Sequence, residues 1–145
     1  MKDSKVTVQL LNSLSDLWTL EKAFLQEIGE EPMSKAACMR LERAIADGKI
    51  VFWIAKVAEN PVGMCSISPN FSTYACKTCG VFDDFYLLPA FRGRGIAKQL
   101  VENAVEWCKN HDYASITVGC SVGDEAMYRS LDFETKLGVM LANNL

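Results

Sequence analysis

Arg92-Gly93-Arg94-Gly95-Ile96-Ala97 lies between an apolar run, Val81 to Leu88 (VFDDFYLL), and Ile96 to Asn110, where Leu100, Val101, Ala104, Val105, Trp107 and Cys108 line one side at helical spacing. The order is strand, glycine loop, helix. A helix N-terminus presents unpaired N–H groups and the positive end of the helix dipole. Glycines let that backbone approach an oxyanion, and the flanking arginines add charge. The segment therefore predicts a phosphate-binding turn; a tight turn with solvated arginines is the plainer alternative. Two common phosphate loops fail on residues. Gly93 and Gly95 fit the start of G-x-G-x-x-G/A, but the third position is Lys98, and G-x-x-x-x-G-K-[ST] is absent.

Working outward, Lys5 to Leu11 (KVTVQLL) alternates as a strand does. Ser13 is placed to cap a helix carrying Leu14, Leu17, Trp18, Phe24, Leu25 and Ile28 and ending near Gly29. Ser34 opens a second helix that Gly48 stops. Ile50 to Val57 (IVFWIAKV) and Val62 to Ser68 (VGMCSIS) form a hairpin across Glu59-Asn60-Pro61, and Pro69 to Gly80 reads as a loop. After the central helix, Ala114 to Cys120 is a strand, Asp124 to Leu131 a short helix, and Phe133 to Leu141 one or two closing strands. Strands outnumber helices, and hairpins mix with strand–helix–strand units, which predicts an α+β fold with a mixed sheet.

The 145 residues fit one domain, 1–145. Half are apolar and 23% are charged, which excludes a disordered or collagen-like chain. The net charge is −3 with no Lys/Arg block, so no nucleic-acid partner is expected. The apolar runs are too short to cross a bilayer, and no membrane role is expected. No export signal is visible, which predicts a cytoplasmic protein whose six cysteines are reduced.

Arg92-x-x-Gly95-x-Ala97 matches the R/Q-x-x-G-x-G/A signature of the GCN5-related N-acetyltransferases (GNAT). The lead-in Asp83 to Arg92 resembles that family's strand-then-Pro entry, and Tyr128-Arg129-Ser130-Leu131-Asp132-Phe133 resembles the segment that follows in it. The resemblance implies the acyl-CoA N-acyltransferase fold, a mixed, mostly antiparallel sheet with a V-shaped split between the fourth and fifth strands and about four helices. It implies acetyl-CoA as cosubstrate, no metal, and transfer of acetyl to a primary amine by direct attack in a ternary complex. The backbone of Arg92, Gly93, Arg94, Gly95, Ile96, Ala97 and Lys98 would hold the pyrophosphate. Phe85, Tyr86 and Leu87 would pair with the pantetheine arm, with the Leu87 N–H polarising the thioester carbonyl, as a preorganised donor can. Tyr128 stands where the family often has a tyrosine that protonates the leaving thiolate.

Adjacent strand residues point to opposite faces, so Asp83 and Asp84 are expected on different sides. One can take the amine proton or bind the ammonium, and an acid at the Asp83 position is a base candidate in the family; an edge or capping role is the alternative. A carboxylate of ordinary pKa is a weak base, so a raised pKa or a water relay is required. Phe71 and Tyr74, with the two acids, resemble a stretch of the diamine and thialysine acetyltransferase branch and could hold a cationic amine. Glu27, Glu30 and Glu31 could attract an amine or form a solvated acidic face. Cys76-x-x-Cys79 has neither a second such pair nor a nearby histidine, and reads as packing rather than zinc or redox chemistry.

The chain departs from the family at Ser121, a shorter hydrogen-bonding group where an asparagine that contacts the cofactor is usual, and at Asp132, where a glycine is usual; Ser121 is expected to take the cofactor contact. Phe133 to Leu145 leaves little for two closing strands, so a homodimer that completes the sheet edge is expected. The acceptor is expected to be a small-molecule or peptide amine. The other function class left open is a CoA-binding sensor or accessory module with little catalysis.

Overall fold

The computed structural model describes residues 5–145. Five strands, β1 (Val6–Leu10), β2 (Val51–Val57), β3 (Asn60–Ser72), β4 (Lys77–Leu87) and β5 (Ile116–Val118), form one sheet in the order β1-β2-β3-β4-β5. Every pairing is antiparallel except β4 with β5, which is parallel and short: Gly80↔Ile116, Val81↔Thr117 and Phe82↔Val118. The helices are α1 (Leu14–Glu27), α2 (Lys35–Ala46), α3 (Ile96–Asn110) and α4 (Glu125–Ser130). This is the mixed, mostly antiparallel α+β architecture expected from the sequence.

Strand alternation sorts the core into two layers. Phe52, Ile54, Met64 and Tyr86 face α1, where Leu17 and Leu20 are fully buried. Trp53, Ala55, Cys65, Ile67, Phe82 and Leu87 pack with Ile96, Leu100, Val101, Ala104 and Cys108 of α3. Each large apolar side chain removed from water contributes about 1.5–3 kcal/mol. Asp16 in the first turn of α1 sits 3.0 Å from Lys56 of β2, both largely buried, which ties that helix to the sheet where its dipole favours an acid.

The helix starts are those expected, but only one serine caps. Ser34 accepts the Ala37 N–H at 3.1 Å, whereas the Ser13 hydroxyl bonds to Ser15 at 2.9 Å instead. Two expectations are corrected. Pro69 to Gly80 is not a loop: β3 runs to Ser72 and β4 starts at Lys77, which puts Cys79 on a strand and leaves Cys76 in the turn at φ 50°. Ile67 is the last β3 residue paired with β2, so Pro69 lies where one edge of β3 is free and a missing N–H is tolerated. Phe133 to Leu141 forms no strand among the described residues. Gly138 takes φ 138°, and Leu137, Val139, Met140 and Leu141 are exposed, with no strand paired to them among the described residues.

Gly63 of β3 is paired with Leu87 of β4, and the space at its Cα is filled. A Cβ there would stand 2.5 Å from a Leu87 methyl, 3.2 Å from the Tyr86 carbonyl oxygen and 3.3 Å from a Leu100 methyl. Gly63→Ala is expected to destabilise the protein by about 1–3 kcal/mol, read as a lower urea midpoint, because the backbone oxygen cannot rotate away.

Candidate active site

Ser66 of β3 is paired with Asp83, while Met64, two residues earlier, is paired with Tyr86, three residues later. One extra residue is therefore accommodated on β4, a β-bulge. Asp84 carries it at φ 51°, a conformation that aspartate adopts more readily than most residues. Its carboxylate accepts the Ser66 hydroxyl at 2.7 Å, and its N–H donates to Asp83 Oδ1 at 2.8 Å. The expectation that the two acids point to opposite faces is thereby corrected. Phe82 and Phe85, three residues apart, both join the α3 layer with ring centroids 5.1 Å apart, and Tyr86 joins the α1 layer. Asp83 and Asp84 thus share the α1 face.

The opposite edge of β4 is open past the bulge. Its ladder with β5 ends at Phe82, and β4 continues for five more residues, Asp83 to Leu87. Leu88 N–H donates to Val62 of β3 at 2.8 Å, so by alternation the Leu87 N–H is directed to the edge away from β3. This is the split between the fourth and fifth strands. Directly beyond it, Pro89–Phe91 forms a short 3-10 turn and Gly95 caps α3. Gly93 and Gly95 adopt φ 75° and 81°, which glycine tolerates, and a Cβ on either would meet nothing within 4 Å. An open, side-chain-free cradle before a 15-residue helix fits a pyrophosphate. Ile96 is buried and anchors the helix start, Ala97 is half-buried, and Lys98 is exposed, 3.9 Å from Glu102.

Arg92 is not a free rim cation. Its Nε donates to Leu87 O at 3.0 Å, one Nη donates to both Glu27 carboxylate oxygens at 2.7 and 3.0 Å, and the guanidinium stands 5.7 Å from the Tyr86 ring centre. Glu27 is thus a partner of Arg92 rather than a solvated acid. Arg94 lies over Phe91 at 5.3 Å.

Tyr128 projects from α4 into the α3 layer, 6.1 Å from Phe85 and 6.5 Å from Phe82 between ring centres. Burial, with Asp124, Cys120 and Asp83 nearby, pushes its phenol up to about 12, so it stays protonated at neutral pH. A groove of about 1540 Å³ between α3, β5 and α4 is lined by Lys98, Ser121 and Tyr128 among others. Ser121 donates to Asp124 at 3.1 Å, which occupies its hydroxyl locally.

The sequence reading missed Glu21. It lies four residues after Leu17 and three before Phe24 on the buried stripe of α1 and is only 7% exposed. Burial, reinforced by Asp84 and then Asp83, pushes its carboxyl up to about 7. Burial likewise raises Asp84, against the lowering effect of the Ser66 hydrogen bond. A charged residue on an otherwise apolar helical stripe was the available signal. Three expected residues stand apart. Tyr74 is fully exposed at the β3–β4 hairpin tip, roughly 25 Å along the strand from Asp84, and Phe71 near that tip is 64% exposed. Glu30 is exposed beyond α1.

A glycine-capped helix abutting an open β4 edge defines the class. Residues 11–133 match the family described as Acetyltransferase (GNAT) family, and the chain belongs to that family. It is 33% identical over 69 residues to an uncharacterized N-acetyltransferase of Archaeoglobus fulgidus, a match spanning 46% of this chain and about half, 47%, of the relative. An aminoglycoside acetyltransferase from an uncultured soil metagenomic sample, in complex with sisomicin, superposes with a TM-score of 0.85 at 15% identity, covering 97% of this chain and 95% of that one. A structure described as a predicted acetyltransferase with acetyl-CoA, from Clostridium acetobutylicum, superposes with a TM-score of 0.78 at 21% identity, covering 96% of each chain. At these identities the superpositions speak to the fold.

Because the Glu21 pKa is raised in the folded state, its proton stabilises the fold below about pH 4.5, and that stability is lost as pH rises through about 7. The wild type is expected to melt at lower temperature at pH 8 than at pH 5.5. Glu21→Gln should flatten this slope and raise the pH 8 melting temperature by roughly 4 °C or more in a thermal scan. Asp84, shifted the same way, retains the remainder of the slope.

Proposed function

We propose that the chain, over residues 1–145, is an acetyl-CoA-dependent N-acetyltransferase that moves acetyl to a primary amine by direct attack in a ternary complex. The observation that carries this reading is the junction of the open Asp83–Leu87 edge of β4 with the glycine-capped N-terminus of α3. When bound, acetyl-CoA supplies a thioester-activated acetyl group. The loop backbone from Arg92 to Lys98 holds the pyrophosphate, and the Phe85–Leu87 edge pairs with the pantetheine amides. The Leu87 N–H, turned away from β3, meets the negative charge that develops on the carbonyl oxygen. Asp83 or a water beside it removes a proton from the amine, and Asp84 helps hold the ammonium before that transfer. Tyr128, protonated at neutral pH, returns a proton to the departing thiolate. The Ser121 hydroxyl borders the same groove.

A small-molecule acceptor is supported by the neighbour that carries sisomicin. A cytoplasmic setting accords with six free cysteines and, among the described residues, no helix long and apolar enough to cross a membrane. The exposed apolar side chains of Leu137, Val139, Met140 and Leu141, with the Met140 sulfur against Gly119 just past β5, support a homodimer. Light scattering is expected to give twice the mass of a single chain.

Release of CoA thiol across a panel of amines, peptides and aminoglycosides tests the activity. Wild type is expected to bind acetyl-CoA and turn over at least one amine. Tyr128→Phe should bind acetyl-CoA within twofold of wild type and lose about 10²-fold in kcat. Unchanged turnover removes Tyr128 from the chemistry, binding without turnover favours a CoA-sensing module, and no binding overturns the reading.

A further inference from the structure

The peptide that ends β4 is held from both sides. Leu88 N–H donates to Val62 O at 2.8 Å, and Leu87 O accepts from Arg92 Nε at 3.0 Å. In an antiparallel strand the N–H and C=O of one residue point to the same edge. Leu87 therefore turns both groups to the open side of β4, and Arg92 takes the carbonyl. The same guanidinium is fixed from two further directions. One Nη donates to both Glu27 carboxylate oxygens at 2.7 and 3.0 Å, and the Tyr86 ring centre lies 5.7 Å from the guanidinium carbon. Helix stability does not explain Glu27. It is the last residue of α1, the end at which the dipole disfavours an acid, and a partly exposed ion pair adds little to stability. Arg92 opens the glycine loop, where a free guanidinium would pair with phosphate oxygens. Glu27 draws it off in the other direction.

Resting on the acetyl-transfer reading, we propose that Glu27 is a positioning residue for the reaction, which keeps Arg92 on the Leu87 carbonyl and away from the cofactor's phosphates. Tyr86 is paired with Met64, and the peptide after Leu87 is pinned by Val62 and Arg92, so the Leu87 N–H between them has one direction. The guanidinium also offsets the negative end of the Leu87 carbonyl dipole, which faces the same edge as the oxygen that gains charge. With the Glu27 carboxylate gone, Arg92 is released toward the phosphates. Cofactor binding then holds or tightens while the chemical step slows.

Glu27→Gln keeps the shape of the side chain and removes its charge. Its kcat is expected to fall about tenfold, with KM for acetyl-CoA no higher than that of wild type and a melting temperature changed by about 2 °C or less. A merely structural role would lower stability and raise KM together. Glu27→Asp, which keeps the carboxylate, should recover part of kcat. Arg92→Lys should lose kcat as Glu27→Gln does, because a point-charge ammonium lacks the fork that bridges the carbonyl and the carboxylate. An infrared readout needs no amine acceptor. The carbonyl band of bound, isotope-labelled acetyl-CoA is expected at higher frequency in Glu27→Gln than in wild type, as its hydrogen bond to the Leu87 N–H weakens. An unchanged kcat, an unmoved band, a raised KM for acetyl-CoA or Glu27→Asp no better than Glu27→Gln each overturns the proposal. In all these cases acetyl-CoA binding that persists leaves the acetyl-transfer reading standing. A wild type that binds no acetyl-CoA overturns both.

Discussion

The hydrogen bond from the Ser66 hydroxyl to the Asp84 carboxylate, 2.7 Å long, holds an extra residue in β4, and the site is arranged around that residue. Without it, Phe82 and Phe85 would fall on opposite faces, since strand side chains alternate. With it, both phenyl rings join the α3 layer and provide the surface against which Tyr128 packs. The two aspartates are turned together toward α1, and Tyr86 and Leu87 resume the alternation one step out of phase. The bulge lies just past the last β4–β5 pair, where the strand loses a neighbour and its outward amides are free.

The fold was largely legible because its strongest signals are periodic. α3 has the bounds its apolar spacing predicts, Ile96–Asn110, and the glycines flanking it announce where the chain must take positive φ. The β2–β3 hairpin was legible for the same reason. The lengths of β3 and β4 were not, because Pro69, Asn70, Ser72 and Thr73 carry loop composition while cross-strand pairing, a nonlocal force, keeps most of that stretch extended. The closing strands failed in the opposite sense. Leu137 to Leu141 has strand composition, but composition alone supplies no partner.

The site was legible where backbone chemistry makes it and obscure where tertiary contacts do. Gly93 and Gly95 declare themselves in the sequence. The bulge was legible only indirectly: Phe-Asp-Asp-Phe from 82 to 85 makes sense on a half-buried strand if the aromatic residues share a face, which needs two residues of the same orientation between them. The signature motif and the loop position single out Arg92 in the sequence, but not that its side chain pairs with Glu27, 65 positions away in sequence, and with Leu87 O. Glu21, an acid on an otherwise apolar helical stripe, is set apart by its burial and by the nearby aspartates, both products of tertiary contact.

The commitment of Arg92 to Glu27 has a consequence for how such a chain can diverge. An anion cradle made of glycines and helix-end amides is encoded in backbone conformation, so it survives replacement of nearly every side chain around it. Asp83 and Asp84 on the α1 face are side-chain features instead, so one substitution changes their charge while the backbone conformation beside them stays.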